Sequence, residues 1–159
     1  MITPEIIRQC RAFVDDPQTQ RYNITMNLKR SLGRDNRYEE VGHRLGQLKP
    51  FIDYFYDRMM RMYPSEARFY DHCAISRQLF SNMQRNDYDP SITTVYKIAI
   101  GLELDLLETV ILGENAGYTF TYKTVNQRVI LFCVLNQLYD PMEVDELLVA
   151  MDCLPLFSI

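Results

Sequence analysis

Residues 69–108 read FYDHCAISRQLFSNMQRNDYDPSITTVYKIAIGLELDLLE, and three helix starts can be read in them. Ser76 precedes Leu79, Phe80 and Met83, which fall at helical spacing, so it is a candidate N-cap whose hydroxyl accepts from a free N–H of the first turn. Asp89, Pro90 and Ser91 form a turn and a second cap, and Ile92, Val95, Ile98, Ala99 and Leu102 then line one apolar face. Asp105 with Glu108 three residues later is a capping box that opens a further helix, which Gly117 ends.

Working outward, Phe51, Phe55, Met59 and Met62 make a stripe after Pro50, read as core, and Pro64 stops that helix. Ser65 can cap a short helix running to Ala74, and the helix opened at Ser76 is expected to run to Asn86. Residues 51–118 thus carry five short helices. Beyond them, residues 125–139 read as a deeply buried helix, and Asp140, Pro141 and Glu143 cap a last one through Met151. The tail Leu154, Pro155, Leu156, Phe157 and Ile159 is too apolar for water and should dock on the domain or on a partner.

At the other end, Thr3 can cap, Pro4 fits the first helical position, and Ile6, Ile7, Cys10, Phe13 and Val14 complete a helix over residues 4–15. Asp15, Asp16 and Pro17 stop it. Tyr22, Ile24, Met26 and Leu28 alternate with polar residues, the pattern of a half-buried strand. A lone strand is unstable, so either a second copy of the chain supplies its partner or the segment is helical and the alternation accidental. Tyr38, Val41, Leu45 and Leu48 suggest a short helix that Gly42 and Gly46 weaken. The division expected is an N-terminal basic segment over residues 1–49, a helical domain over 50–118 and a C-terminal helical extension over 119–159 packing on it.

The whole chain has 159 residues, 47% hydrophobic and 24% charged, with a formal net charge of -4. That composition excludes a disordered acidic tail or a low-complexity linker and gives no global cationic field. Basic side chains are in excess only in residues 1–50, so any nucleic-acid surface must be local. The four cysteines are widely spaced without a CxxC pair, which reads as reduced, buried thiols of a cytoplasmic protein. No apolar run approaches the ~20 residues of a membrane span. His43 and His72 have no ligand partner at i+3 or i+4, and no GxGxxG, Walker-type or GxSxG loop occurs, so neither metal, cofactor nor catalytic site is expected.

The layout of residues 51–118 resembles the lambda-repressor-like, or XRE and Cro-type, helix-turn-helix domain. FYDHCAIS falls at the second helix and turn, RQLFSNMQRN on the recognition helix, and DYDPSITTVYKIAIGLELDLLE on the following loop and helices. More narrowly, ISRQLFSNMQRNDYDPS, AIGLELDLLE and AGY resemble a divergent bacterial branch that accompanies varied partner domains. The resemblance implies a mainly α fold: a five-helix core with extra C-terminal helices and a small N-terminal segment. It also implies that the third helix reads the major groove, with Arg77, Gln78, Ser81 and Asn82 toward base edges and Arg85 near the backbone. Arg30, Arg34 and Arg37 are candidate phosphate contacts.

Departures from the family's pattern point elsewhere. Glu66 stands where a phosphate-binding Gln is usual, Tyr70 where a small residue is usual, Ala74 where a turn glycine is common, and Asp87 and Asp89 where basic residues are expected. Two functions are therefore carried forward. The first is a non-enzymatic transcription regulator, a homodimer on double-stranded DNA. The second is a protein-interaction module, an adaptor or inhibitor in a bacterial or phage defence system, offering Glu66, Asp71, Asp87 and Asp89 to a basic partner. RNA binding by the basic N-terminal segment is a third, weaker reading.

Overall fold

The computed structural model describes residues 2–21, 50–121 and 123–158, which are mainly helical, with no strand among them. The alternating segment from Tyr22, the helix expected around Tyr38 to Leu48, and Arg30, Arg34 and Arg37 lie outside the described residues. The elements are α1 (Pro4–Asp15), α2 (Pro17–Arg21), a 3-10 turn (Phe51–Tyr54), α3 (Tyr56–Met62), α4 (Glu66–His72), α5 (Arg77–Asn82), α6 (Ile92–Gly101), α7 (Leu106–Asn115), α8 (Val125–Leu135) and α9 (Pro141–Ala150).

Helix starts follow the side chains that the sequence offers. Thr3, Ser65, Ser76, Ser91, Asp105 and Asp140 each accept from a first-turn N–H, as does Thr124, which the sequence reading passed over. At Asp105 the box is reciprocal: Glu108 N–H donates to Asp105 Oδ1 at 2.8 Å and Asp105 N–H to Glu108 Oε1 at 3.1 Å.

Helix ends follow a rule that is harder to read. Ala74, Glu103, Gln137 and Asp152 take φ of 53°, 52°, 56° and 61°, and Gly117 takes 89°. After each, the next N–H returns to a carbonyl five residues back: Ile75 to Tyr70, Leu104 to Ala99, Tyr118 to Gly113, Leu138 to Cys133 and Cys153 to Leu148. These are Schellman closures, four of them at residues for which the left-handed region is unfavourable. In each, the residue after the left-handed one is apolar or half-buried and anchors the chain on the core.

Three expected boundaries are corrected. Residues 51–62 are not one helix: Ile52 N–H donates to the Met83 carbonyl at 3.2 Å, so the first turn is tied to a distant segment, and Phe55 at φ -135° breaks the run. The helix after Ser76 ends at Asn82, because Gln84 and Arg85 N–H groups bond three residues back to Ser81 and Asn82 in a tightened turn. The helix from Val125 stops at Leu135, where Asn136 donates to the Phe132 carbonyl and Gln137 turns left-handed.

Helix α8 lies deepest, with Gln127 to Val134 all buried. On it pack α6, α7 and α9, and also α1, through Phe13 against Phe132 at 5.7 Å. Arg11 of α1 donates to the Ala150 carbonyl at the end of α9, 3.0 Å away. The apolar tail does dock on the chain, through buried Phe157, although Leu154 stays 88% exposed. Its clasp is Asp145, a buried residue of α9: Oδ1 accepts the N–H of Leu156 at 2.7 Å and of Phe157 at 3.0 Å, and Oδ2 accepts the N–H and hydroxyl of Ser158, both at 2.9 Å.

Cys10, Cys73 and Cys133 are buried and reduced, and Cys153 is half-buried. Burial disfavours the thiolate and pushes Cys10 up to about 11 and Cys73 up to about 12, with Cys133 raised as well. Above pH 9 the unfolded thiols ionise while the folded ones hold their protons. The native state then binds more protons, and stability falls as pH rises. Urea unfolding should accordingly be level from pH 7 to 8 and weaken above pH 9 by up to about 1.4 kcal/mol per pH unit for each buried thiol. A stability unchanged at pH 10.5 would contradict this burial.

Candidate nucleic-acid interface

Two short helices, α4 and α5, and the turn between them build the face that the sequence singles out. Ser65 starts α4 by accepting from Arg68 N–H at 3.2 Å. The chain then reverses at Ala74, whose φ of 53° is the backbone that a turn glycine would adopt without strain. Lys97 of α6 steadies the turn by donating from Nζ to the Ala74 carbonyl at 3.0 Å. Ser76 restarts the chain as α5, its Oγ accepting from Leu79 N–H at 3.0 Å.

Aromatic packing sets the spacing of α4 and α5. The Tyr70 ring lies 5.3 Å and the Phe69 ring 6.1 Å from Phe80, and Phe69 in turn meets Phe55 at 5.9 Å. Tyr70, the departure noted in the sequence, therefore fills the space between the helices. Phe80 and Met83 are buried, and this turns the opposite side of α5 outward.

Of the residues expected to face a partner, Arg77, Gln78 and Ser81 are exposed on α5. Asn82 is half-buried, and its Oδ1 accepts from Gln78 Nε2 at 3.1 Å, so the two amides engage each other. Arg85 lies beyond the helix end and pairs with Asp87 at 3.2 Å; both are well exposed, where such a pair contributes little. Asp71, Asp87 and Asp89 are exposed, and Glu66 is half-buried.

Between α4 and α5 runs an open groove of about 490 Å³ lined by Glu66, Tyr70, Arg77, Ser81 and Gln84. Gln84 was not picked out from the sequence. Its signal was the spacing 77, 81, 84, which is one stripe of a helix even where the last residue sits in the closing turn. Arg68, exposed on α4, was likewise passed over. Among the described residues around this face the carboxylates Glu66, Asp71, Asp87 and Asp89 outnumber the guanidinium groups of Arg68, Arg77 and Arg85.

Among the described residues no three of His, Cys, Asp or Glu come together as a metal site, and no described helix is long and apolar enough to cross a membrane. Comparisons with protein-family models, with curated proteins and with solved structures give no significant match.

Proposed function

We propose that this chain is a non-enzymatic regulator that reads DNA by placing α5 in the major groove, on a helix-turn-helix core of the lambda-repressor-like kind. One observation carries the reading. Helices α4 and α5 are joined by a left-handed turn, and α5 buries Phe80 while presenting Arg77, Gln78 and Ser81, donors and acceptors with no acid on the helix. Arg suits the acceptor pair of guanine, and Gln or Asn the donor and acceptor edge of adenine. Reading with Gln78 and Asn82 separately requires their mutual hydrogen bond to open; as a bonded pair they offer one combined edge.

Affinity needs a net positive charge that the described residues of the face do not supply, and the basic N-terminal segment is the place in the sequence where an excess is found. A homodimer would set two α5 helices about 34 Å apart, one turn of the duplex, and would favour a palindromic site. On such a site Arg77→Ala and Asn82→Ala should each lose about 1 to 3 kcal/mol and relax the base preference at one position. Changing Arg30, Arg34 and Arg37 together to Gln should lower affinity evenly across sequences and flatten the salt dependence by up to about 3 in log–log slope. Equal affinities of wild type and Arg77→Ala for every duplex would sink the groove assignment.

A second reading has its own observation. Glu66 lines the very groove that a phosphate would approach, and a carboxylate there repels it. On this reading the same face takes a basic protein segment. Glu66→Gln separates the two, since it should strengthen DNA binding and weaken capture of a basic partner.

A further inference from the structure

We infer that the cleft between α3 and α7 binds a small cationic amphiphile, an arylalkylamine in class, and that its occupancy is felt at the end of α5. The cleft has a volume of about 430 Å³, within the range of small-molecule sites. Its floor is apolar, made by Phe55, Leu104 and Leu112, with Ile111 half-buried beside them. That floor suits a flat or branched hydrocarbon body.

The polar groups around it favour a donor-bearing cation. Arg58 is already engaged: Nη1 donates to Glu108 Oε2 at 2.9 Å and Nη2 to the Glu103 carbonyl at 3.1 Å. With that pair set aside, the described residues of the rim hold the exposed carboxylates of Asp53 and Asp57 against the guanidinium of Arg61. Asn115 closes one end, and its Oδ1 is shut away from solvent without a hydrogen-bond partner among the described residues. An unmatched buried acceptor is unfavourable, and an incoming N–H relieves it once the amide turns toward the cleft.

The link to α5 is the 3-10 turn. Asp53 and Tyr54, its last two residues, line the cleft, while Ile52 beside them donates to the Met83 carbonyl directly after α5. A ligand pressing on Tyr54 and Phe55 therefore acts two and three residues along the chain from the Ile52 bond to Met83, the residue that follows α5, and Phe55 N–H itself donates to the Ile52 carbonyl at 3.1 Å. The site itself is independent of the DNA reading; only the meaning of the relay, control of groove reading, rests on it.

The test is an NMR titration of the isotopically labelled full chain with tryptamine, in the absence of DNA. The expected result is saturable shifts at the amides of Tyr54, Phe55, Leu112 and Asn115, with a Kd of the order of 1 mM for so small a ligand, and shifts at Ile52 and Gln84 that follow the same curve. Asp57→Asn and Asn115→Leu should each weaken binding about fivefold, Ile111→Trp should abolish it by filling the cleft, and indole-3-acetate, an anion of similar shape, should not bind. Absence of saturable shifts in the cleft overturns the site, as does binding that neither Asp57→Asn nor Asn115→Leu weakens. Shifts confined to the cleft, with Ile52 and Gln84 still, overturn the relay. All of these are read without DNA, so failure here is distinguishable from failure of the DNA reading.

Discussion

Asp145→Ala is expected to lower the free energy of unfolding by about 4 kcal/mol, the largest effect of any single exchange considered for this chain. The carboxylate is buried and accepts from three consecutive backbone N–H groups and one hydroxyl, all from Leu156, Phe157 and Ser158. Without it those donors either stay buried unpaired or take the tail into water, and undocking exposes the Phe157 ring. Either route forfeits both parts of the interaction. Deleting residues 154–159 should therefore cost nearly as much as Asp145→Ala, and the two changes together little more than one. Urea unfolding of the three variants checks this, and additive losses would show that Asp145 acts on something other than the tail.

Gly101→Ala comes next, at about 3 kcal/mol. A Cβ on Gly101 would lie 2.1 Å from Cys73 Sγ, a contact that real structures do not contain, and Cys73 is fully buried at the end of α4. The helices would have to separate, straining the Tyr63 hydroxyl bond to the Gly101 carbonyl at 2.6 Å. The cause being one atom, its removal should restore most of the loss: the double variant Gly101→Ala with Cys73→Ala should be more stable than the sum of the two single losses by at least about 1 kcal/mol. A cycle with no coupling would place the role of Gly101 elsewhere. The same contact holds α6 against the turn before α5, where Lys97 reaches the Ala74 carbonyl, so the loss should carry over to whatever α5 binds.

Starts of helices were legible because each rests on a side chain visible in the sequence. Thr3, Ser65, Ser76, Ser91, Asp105 and Asp140 stand before apolar periodicity and cap as their chemistry requires. Ends were less so. Gly117 marked its helix, but Gln137 and Asp152 carry no such mark, because a side chain accepts the left-handed region only when a tertiary anchor such as Leu138 holds the next residue. Contacts across the fold were illegible: nothing near Ile52 announces a bond to Met83, and Asp145 reads as an ordinary helix acid until the tail is seen over it.

For the candidate face, the outward set Arg77, Gln78, Ser81 and Asn82 rests on the resemblance to the helix-turn-helix family, and the first three are exposed on α5 while Asn82 is half-buried. The same resemblance places Arg85 near the backbone on a helix expected to run to Asn86, but α5 has already closed at Asn82 and Arg85 turns to Asp87 instead. Gln84 was missed although it continues the stripe of Arg77 and Ser81 into the closing turn, where it lines the groove.

The most direct measurement on the central claim is competitive selection from a random duplex library at two salt concentrations, with wild type beside Arg77→Ala. A DNA-reading α5 predicts enrichment of one palindromic site by wild type, loss of that enrichment in the variant, and retention that falls steeply as salt rises. No retention even at low salt, or equal enrichment by both proteins, would contradict it and leave the Glu66-lined groove as the place where a basic protein partner binds.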